Sequence, residues 1–206
     1  MSDIVYTIGH SSHSAERFLA LLARHEVTAV ADVRSSPYSR FAPQFNREVI
    51  SVVLSRGGIE YVFLGEELGA RSADRTCYVD GRVRYDLLAR TAVFQRGLDR
   101  VQQMGRSQRI ALMCAEKDPL TCHRAILVAR HLVARGMIVR HILEDGTLEE
   151  HDRAMDRLLR EMGLPDHDLF RTREEMAEEA CRRREAEIAY RESSHADQSV
   201  PAGATP

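Results

Sequence analysis

The stretch LMCAEKDPLTCHR, near the middle of the chain, concentrates side chains that can do chemistry. Its two cysteines, Cys114 and Cys122, carry thiols that act as nucleophiles or metal ligands once they are deprotonated. Glu116 and His123 can carry protons, and the guanidinium of Arg124 can bind an anion through two parallel hydrogen bonds. These residue types, placed so closely together, predict a site for covalent, acid–base or metal chemistry.

Two further motifs, TIGHS and DVRSSPYSR, bring polar residues directly after apolar runs. We predict that the histidine of the first motif and the carboxylate of the second orient water or substrate in a catalytic role. The serines and arginines are predicted to bind an anionic substrate, together with Arg124. The residues concerned are His10, Ser11, Asp32, Arg34, Ser39 and Arg40.

The elements that must position these motifs alternate along the chain between apolar runs and helical patterns. Near-continuous apolar runs are typical of strands that are buried on both faces of a parallel sheet. We predict five such strands, over Ile4–Gly9, Val27–Val33, Ile59–Gly65, Arg109–Cys114 and Met137–Leu143. The alternation predicts an α/β fold with an open, mostly parallel sheet and helices on both faces, a Rossmann-like three-layer arrangement.

Each motif follows a predicted strand, and open parallel sheets bind ligands at the carboxyl ends of their strands. The carboxyl ends of parallel strands share one edge of the sheet. We therefore expect His10, Asp32, Arg34, Cys114 and His123 to converge on one pocket.

A helical pattern, PLTCHRAILVARHLVARG, follows the fourth strand, with Asp118 as the predicted N-cap and Pro119 in the first position. Cys122 then lies near the start of the helix, where the helix dipole favours a thiolate. The negative charge of Asp118 opposes that effect. If only one thiol is activated, we expect it to be Cys114.

The remaining patterns divide the chain into three parts. Residues 66–84 predict a long surface loop, and the stretches YDLLARTAVFQRGLDRVQQMG and TLEEHDRAMDRLLREMG each predict one helix. We assign residues 1–165 to the α/β domain and residues 166–193 to a charged helical extension. The composition of residues 194–206 predicts a disordered tail.

Composition limits the partners. The chain has 29 basic and 31 acidic residues and a formal net charge of -2, which does not favour nucleic acid as a partner. No apolar run approaches the roughly 18 residues that span a bilayer, so we expect no membrane partner. The first residues do not resemble a signal peptide, so we expect a cytoplasmic protein with free thiols.

Three chemical interpretations remain open. The leading one is an enzyme, a hydrolase or a transferase, that acts on a small phosphorylated or nucleotide-like anion with Cys114 or Cys122 as nucleophile or ligand. A cysteine between strand and helix resembles the layout of cysteine phosphatases and rhodaneses, although the nine residues before Arg124 make a longer loop than theirs. The second is a zinc or iron site formed by Cys114, Cys122, His123 and His10. The third is a non-catalytic module that binds a nucleotide or a nucleic-acid end.

Taken in order, the motifs TIGHS, DVRxxPxSR and CxExxPxxCHR resemble a widespread microbial family of unknown function, DUF488. The resemblance runs from about Ile4 to Ile142, and the segment after Pro165 lies outside it. It implies an α/β fold and assigns no activity. Its motif positions here are Gly9, His10, Ser11, Asp32, Arg34, Pro37, Ser39, Arg40, Cys114, Glu116, Pro119, Cys122, His123 and Arg124.

Overall fold

A six-stranded sheet lies at the centre of the computed structural model, which describes residues 4–165 and 168–192. The strands of the chain are β1 (Ile4–Gly9), β2 (Ala29–Asp32), β3 (Glu60–Phe63), β4 (Tyr78–Val79), β5 (Arg82–Val83), β6 (Ile110–Cys114), β7 (Ile138–Ile142) and β8 (Leu148–Glu150). The order in the large sheet is β3-β2-β6-β1-β7-β8, while β4 and β5 pair with each other as a hairpin.

The five predicted strands all lie in the sheet and pair in parallel, so the predicted fold class is confirmed. The sixth strand, β8, runs antiparallel to β7. We had assigned its residues to the following helix, because the sequence LEE carries no strand pattern. Pairing across the hairpin decides the structure here: Ile142 faces Leu148, and Arg140 forms an ion pair with Glu150 at 2.7 Å.

Helices cover both faces of the sheet. They are α1 (Ala15–Arg24), α2 (Arg47–Arg56), α3 (Gly65–Leu68), α4 (Tyr85–Arg90), α5 (Ala92–Gly105), a π-helix (Arg124–Ala129) that continues into α6 (Arg130–Ala134), α7 (His151–Glu161) and α8 (Arg173–Ile188). On one face, Phe18 of α1 and Leu54 of α2 pack against Ile8 and Met113. The remaining helices pack on the opposite face. Within the described residues, no helix is long and apolar enough to cross a membrane.

The region predicted as one loop, residues 66–84, contains part of α3 and the β4–β5 hairpin. Asp80 and Gly81 connect the two strands with positive φ angles of 50° and 70°. Two such residues form the tight turn that suits a two-residue hairpin. The helix predicted after this loop is divided in two, because Thr91 caps α5 by accepting a hydrogen bond from the Phe94 amide.

The prediction of a single helix from Pro119 is wrong, because the helical conformation is interrupted at Cys122. Asp118 accepts a hydrogen bond from the Leu120 amide and caps a short 3-10 turn, Pro119–Thr121. Cys122 is then extended, with φ -137° and ψ 143°, and the helix proper starts at His123. Cys122 therefore stands at the N-terminus of the new helix, where its sulfur can receive backbone N–H groups.

The charged extension forms α8, which begins with a capping box between Thr172 and Glu175. Its buried residues, Met176, Ala180 and Cys181, pack on the main core. The tail predicted to be disordered lies outside the described residues.

A series of buried polar side chains connects β1 and β7 to α7. The Thr7 hydroxyl lies 2.7 Å from Nδ1 of His141, whose Nε2 lies 3.1 Å from Nδ1 of His151. Burial is the main cause that lowers the pKa of His151 to about 4 and the pKa of His141 well below its usual value. Both rings are therefore neutral in the folded protein at neutral pH.

These histidines predict a loss of stability in mild acid. As the pH falls below about 6.5, His151 becomes protonated in the unfolded chain, but in the folded chain it stays neutral until about pH 4. The free energy of unfolding therefore decreases between these two pH values. At pH 5 the shift of His151 costs about 2 kcal/mol. Urea unfolding at several pH values measures this. His151→Gln should reduce the pH dependence by about that amount, and an unchanged dependence would contradict the account.

Candidate functional site

The polar motifs meet between two neighbouring strands whose following helices pack on opposite faces of the sheet. β1 and β6 are neighbours, with Gly9 beside Cys114. The helix after β1 packs on one face of the sheet, and the helix after β6 packs on the other. Open α/β sheets form their binding crevices at such points. The loops after β1, β2 and β6 all end at this crevice.

Arg124 holds the loop that follows β6. Its side chain is fully buried, and its Nη1 and Nη2 donate to the carbonyls of Glu116 and Lys117 at 2.6 Å and 3.0 Å. The loop also presses on β1, since a Cβ at Gly9 would lie only 1.8 Å from the Glu116 oxygen. The guanidinium faces backbone and does not line the cavity of the site. Arg124 therefore positions the loop, in place of the anion-binding role that we predicted.

Cys114, Cys122 and His123 come together beside this loop. Nδ1 of His123 lies 3.7 Å from the Cys114 sulfur and 3.8 Å from the Cys122 sulfur. The three ligand atoms all lie within 4.8 Å of one another, and all three residues are buried. The other ring nitrogen, Nε2, lies 3.0 Å from the Val33 carbonyl, which fixes the orientation of the ring.

This spacing could accommodate a metal ion. Zinc bonds of about 2.3 Å to sulfur and about 2.0–2.1 Å to nitrogen, at a tetrahedral angle, separate the two ligand atoms by about 3.6 Å. The carbonyl contact of Nε2 is the outer partner that metal-bound histidines usually have. His10, our predicted fourth ligand, is not in the set, because its two nitrogens contact the Ser11 carbonyl and Arg34.

Charges around the two sulfurs differ. Burial opposes ionisation of Cys122, but a hydrogen bond from Cys114 and the positive charges of Arg124 and His123 lower its pKa well below the usual value. The Arg124 amide also donates to the Cys122 sulfur, at 3.4 Å. The pKa of the Cys114 thiol is raised, mainly because this thiol donates a hydrogen bond to Cys122 and next because it is buried. Cys122 is thus the anionic sulfur.

These shifts favour Cys122, whereas the sequence predicts Cys114 as the activated thiol. That prediction rests on the negative charge of Asp118 near Cys122. In the fold, Asp118 receives two hydrogen bonds from the guanidinium of Arg157, at 2.9 Å and 3.0 Å. This partner, distant in sequence, neutralises the carboxylate.

Glu116 and His123 have the perturbed protonation expected of proton carriers. The Glu116 side chain is exposed toward the cavity. Its pKa is nevertheless raised, mainly because the surrounding protein desolvates the carboxylate and next because of the negative charge of Cys122. One of its carboxylate oxygens lies 3.0 Å from the Cys114 sulfur. Burial lowers the pKa of His123, but the negative sulfur of Cys122 outweighs it and raises that pKa above its usual value.

The predicted residues His10, Asp32 and Arg34 form a neighbouring buried network. Arg34 donates to both oxygens of Asp32, at 2.8 Å and 2.6 Å, and to the Phe45 carbonyl at 2.9 Å. Its Nη1 lies 3.1 Å from Nε2 of His10, and the His10 ring stacks on Phe45. Burial is the main cause that lowers the pKa of His10 to about 4. The charge of Arg34 is already paired, so this network supports the site more than it binds an anion.

Three predicted substrate-binding residues lie outside the cavity. The Ser11 amide donates to the Ala115 carbonyl, so this residue ties two loops together. The Ser39 hydroxyl accepts from the amides of Phe41 and Ala42 and shapes its own turn. Arg40 is exposed and does not line the cavity.

A cavity of about 260 Å³ opens over the Cys114–Cys122–His123 cluster. Arg34, Glu116 and the three cluster residues line it, whereas His10 and Asp32, which we expected in the same pocket, do not. The other side chains that could contact a ligand there are not among the predicted site residues: three lie within the motifs, and four come from segments without a motif. Those are Ser35, Ser36, Arg71, Tyr85, Thr121, Ile188 and Tyr190.

A larger cavity, of about 750 Å³, lies between α4, α6 and α8. Its arginines are largely held by carboxylates, as in the pairs Arg84–Asp86 and Arg130–Glu178. It contains none of the motif residues, so we place the candidate site in the smaller cavity.

Comparison with known proteins gives a family. The model of the family described as "Domain of unknown function DUF488" matches residues 14–131, more than half of the chain. No curated protein and no solved structure gives a match. The matched residues contain two of the three motifs and end within α6.

The contact at Gly9 predicts a severe effect of the smallest side chain. In Gly9→Ala the new methyl group overlaps the Glu116 carbonyl, so the loop must move, at a cost of about 1–3 kcal/mol in the free energy of unfolding. Urea unfolding measures it. Gly105→Ala is the matched control, because its methyl group meets only the end of the Met137 side chain. Equal effects of the two substitutions would contradict the packing argument.

Proposed function

The chain belongs to the DUF488 family, and we propose that it is a metal-dependent enzyme, a hydrolase, that acts on a small anionic substrate. The proposal rests on one observation: two sulfurs and one imidazole nitrogen, from residues that are all buried, lie within 4.8 Å of one another. Three converging soft ligands at the floor of a cavity favour a catalytic metal site with one position left for water or substrate.

Zinc is the ion that this donor set suits best, and iron is the alternative. When bound in such a site, zinc lowers the pKa of a water molecule and polarises a substrate oxygen. The protein's contribution is to hold Cys114, Cys122 and His123 in place and to leave the cavity side of the cluster open. Arg124 and the Val33 carbonyl keep the ligands oriented.

Glu116 is our candidate for the proton carrier. It lies beside Cys114, outside the three-residue ligand set, and its raised pKa makes the carboxyl a better base than an ordinary glutamate. Tyr85 also lines the cavity, and burial raises the pKa of its hydroxyl. That hydroxyl therefore stays protonated and can donate a hydrogen bond to the substrate.

The anionic character of the substrate follows from Arg71. The Arg71 side chain is exposed and lines the cavity, and its backbone amide donates a hydrogen bond to the Ser35 hydroxyl. Unlike Arg34, which is paired with Asp32, Arg71 can turn its guanidinium toward a phosphate or carboxylate.

A second candidate is a thiol enzyme without metal. The paired shifts of Cys122 and His123 are those of a thiolate beside an imidazolium, which is how cysteine nucleophiles are activated. In this candidate Cys122 attacks the substrate and Glu116 or His123 moves the proton. Metal content distinguishes the two candidates.

Elemental analysis of protein purified without metal-affinity resin should find about one zinc or iron per chain. Cys114→Ala, Cys122→Ala and His123→Ala should each lose most of it, because each removes a ligand. Cys181→Ala is the matched control: Cys181 is equally buried but lies in α8 outside the cluster, and the metal should remain. A metal-free wild type whose Cys122 reacts rapidly with iodoacetamide would support the thiol enzyme instead.

Removal of the proton carrier should separate catalysis from metal binding. Glu116→Gln should keep its metal and slow the hydrolysis of 4-nitrophenyl phosphate, used as a generic probe, by about 100-fold or more. Glu144→Gln, a carboxylate that pairs with Lys117 outside the cavity, is the control and should keep the wild-type rate. Equal rates in wild type and Glu116→Gln would remove Glu116 from the mechanism.

A further inference from the structure

One wall of the cavity comes from the C-terminal part of the chain. Ile188, at the end of α8, and Tyr190, just after it, line the cavity together with the residues around Cys114. Both lie well beyond residues 14–131, which match the family. One wall of the cavity is thus formed by a segment that the family match does not include.

This segment is held against the α/β core by backbone pairing. The Val83 amide of β5 donates to the Tyr190 carbonyl at 3.0 Å, and the Glu192 amide donates to the Gly81 carbonyl at 2.8 Å. Arg82 and Arg191 form an antiparallel bridge between the two hydrogen bonds. The segment therefore extends the β4–β5 hairpin as a third strand-like piece, and its position is defined.

Side-chain contacts close the wall. The Arg71 guanidinium lies over the Tyr190 ring, 4.4 Å from its centroid. The Tyr85 amide donates to the Glu185 carboxylate at 2.8 Å, which fixes α8 beside the helix that bears Tyr85. Loop and extension thus meet across the cavity, at a cation–π contact that a ligand entering the cavity must pass or use.

We propose that this wall, formed by Arg71, Ile188 and Tyr190, limits the substrate to a compact anion with a hydrolysable bond, such as pyrophosphate. The cavity of about 260 Å³ is smaller than the roughly 300–1,000 Å³ of pockets that bury larger ligands. The identity of the substrate rests on the proposed function, but the wall itself does not.

The test compares a small with a bulky thiol reagent on protein freed of metal by chelator, so that neither bound metal nor activity is needed. Alkylation of Cys114 and Cys122 by iodoacetamide and by fluorescein maleimide is followed by peptide mass spectrometry. Tyr190→Ala should speed the reaction of the bulky reagent by about tenfold or more and change the iodoacetamide rate by less than about threefold. Tyr190→Phe keeps the ring and should leave both rates unchanged.

Tyr38→Ala, an exposed tyrosine outside the cavity, is the matched control and should react like the wild type. Arg71→Ala is the second variant, since Arg71 is exposed and its removal spares the core, and it should give the same selective increase. Equal acceleration of both reagents in these two variants would mean general opening and would overturn the proposal. Unchanged rates for the bulky reagent would overturn it as well. A protein without metal or hydrolytic activity leaves this test intact, so the two proposals fail separately.

Discussion

The buried guanidinium of Arg124 is the contact on which the rest of the site depends. A charge without water is costly unless hydrogen bonds replace the lost hydration. Here the carbonyls of Glu116 and Lys117 provide them, and they can do so because Gly9 lets the loop lie directly on β1. The same positive charge favours an anionic sulfur on Cys122. One side chain therefore sets both the path of the loop and the charge of the site.

A second buried arginine has a different task. Arg34 is neutralised by Asp32, the last residue of β2, and itself lies just after that strand. Their network reaches His10 after β1, while the carbonyl of the intervening Val33 holds the ring of His123. The loops after three parallel strands are thus tied to one another by hydrogen bonds. These hydrogen bonds hold the residues that would contact a metal or a substrate within the narrow range of positions that metal or acid–base chemistry needs.

Sequence patterns were sufficient for the elements that are decided locally. The five apolar runs predicted the parallel strands, and the motifs after them included Arg34, Cys114, Glu116, Cys122 and His123, which line the cavity. Features decided by partners far along the chain were not predictable in this way. Asp118 is neutralised by Arg157, β8 forms by pairing with β7, and the walls of the cavity come from Arg71, Tyr85 and Tyr190. The break at Cys122 was missed for a related reason: the capped turn at Pro119 and the helix that follows it have the same sequence signals as one helix.

The central claim is that Cys114, Cys122 and His123 bind one metal ion in an open tetrahedral site. X-ray absorption at the metal edge, on wild-type protein, tests it most directly because it counts sulfur neighbours. The account predicts two sulfur atoms at about 2.3 Å and nitrogen or oxygen atoms at about 2.0–2.2 Å. A shell of nitrogen and oxygen alone would place the metal elsewhere and contradict the account.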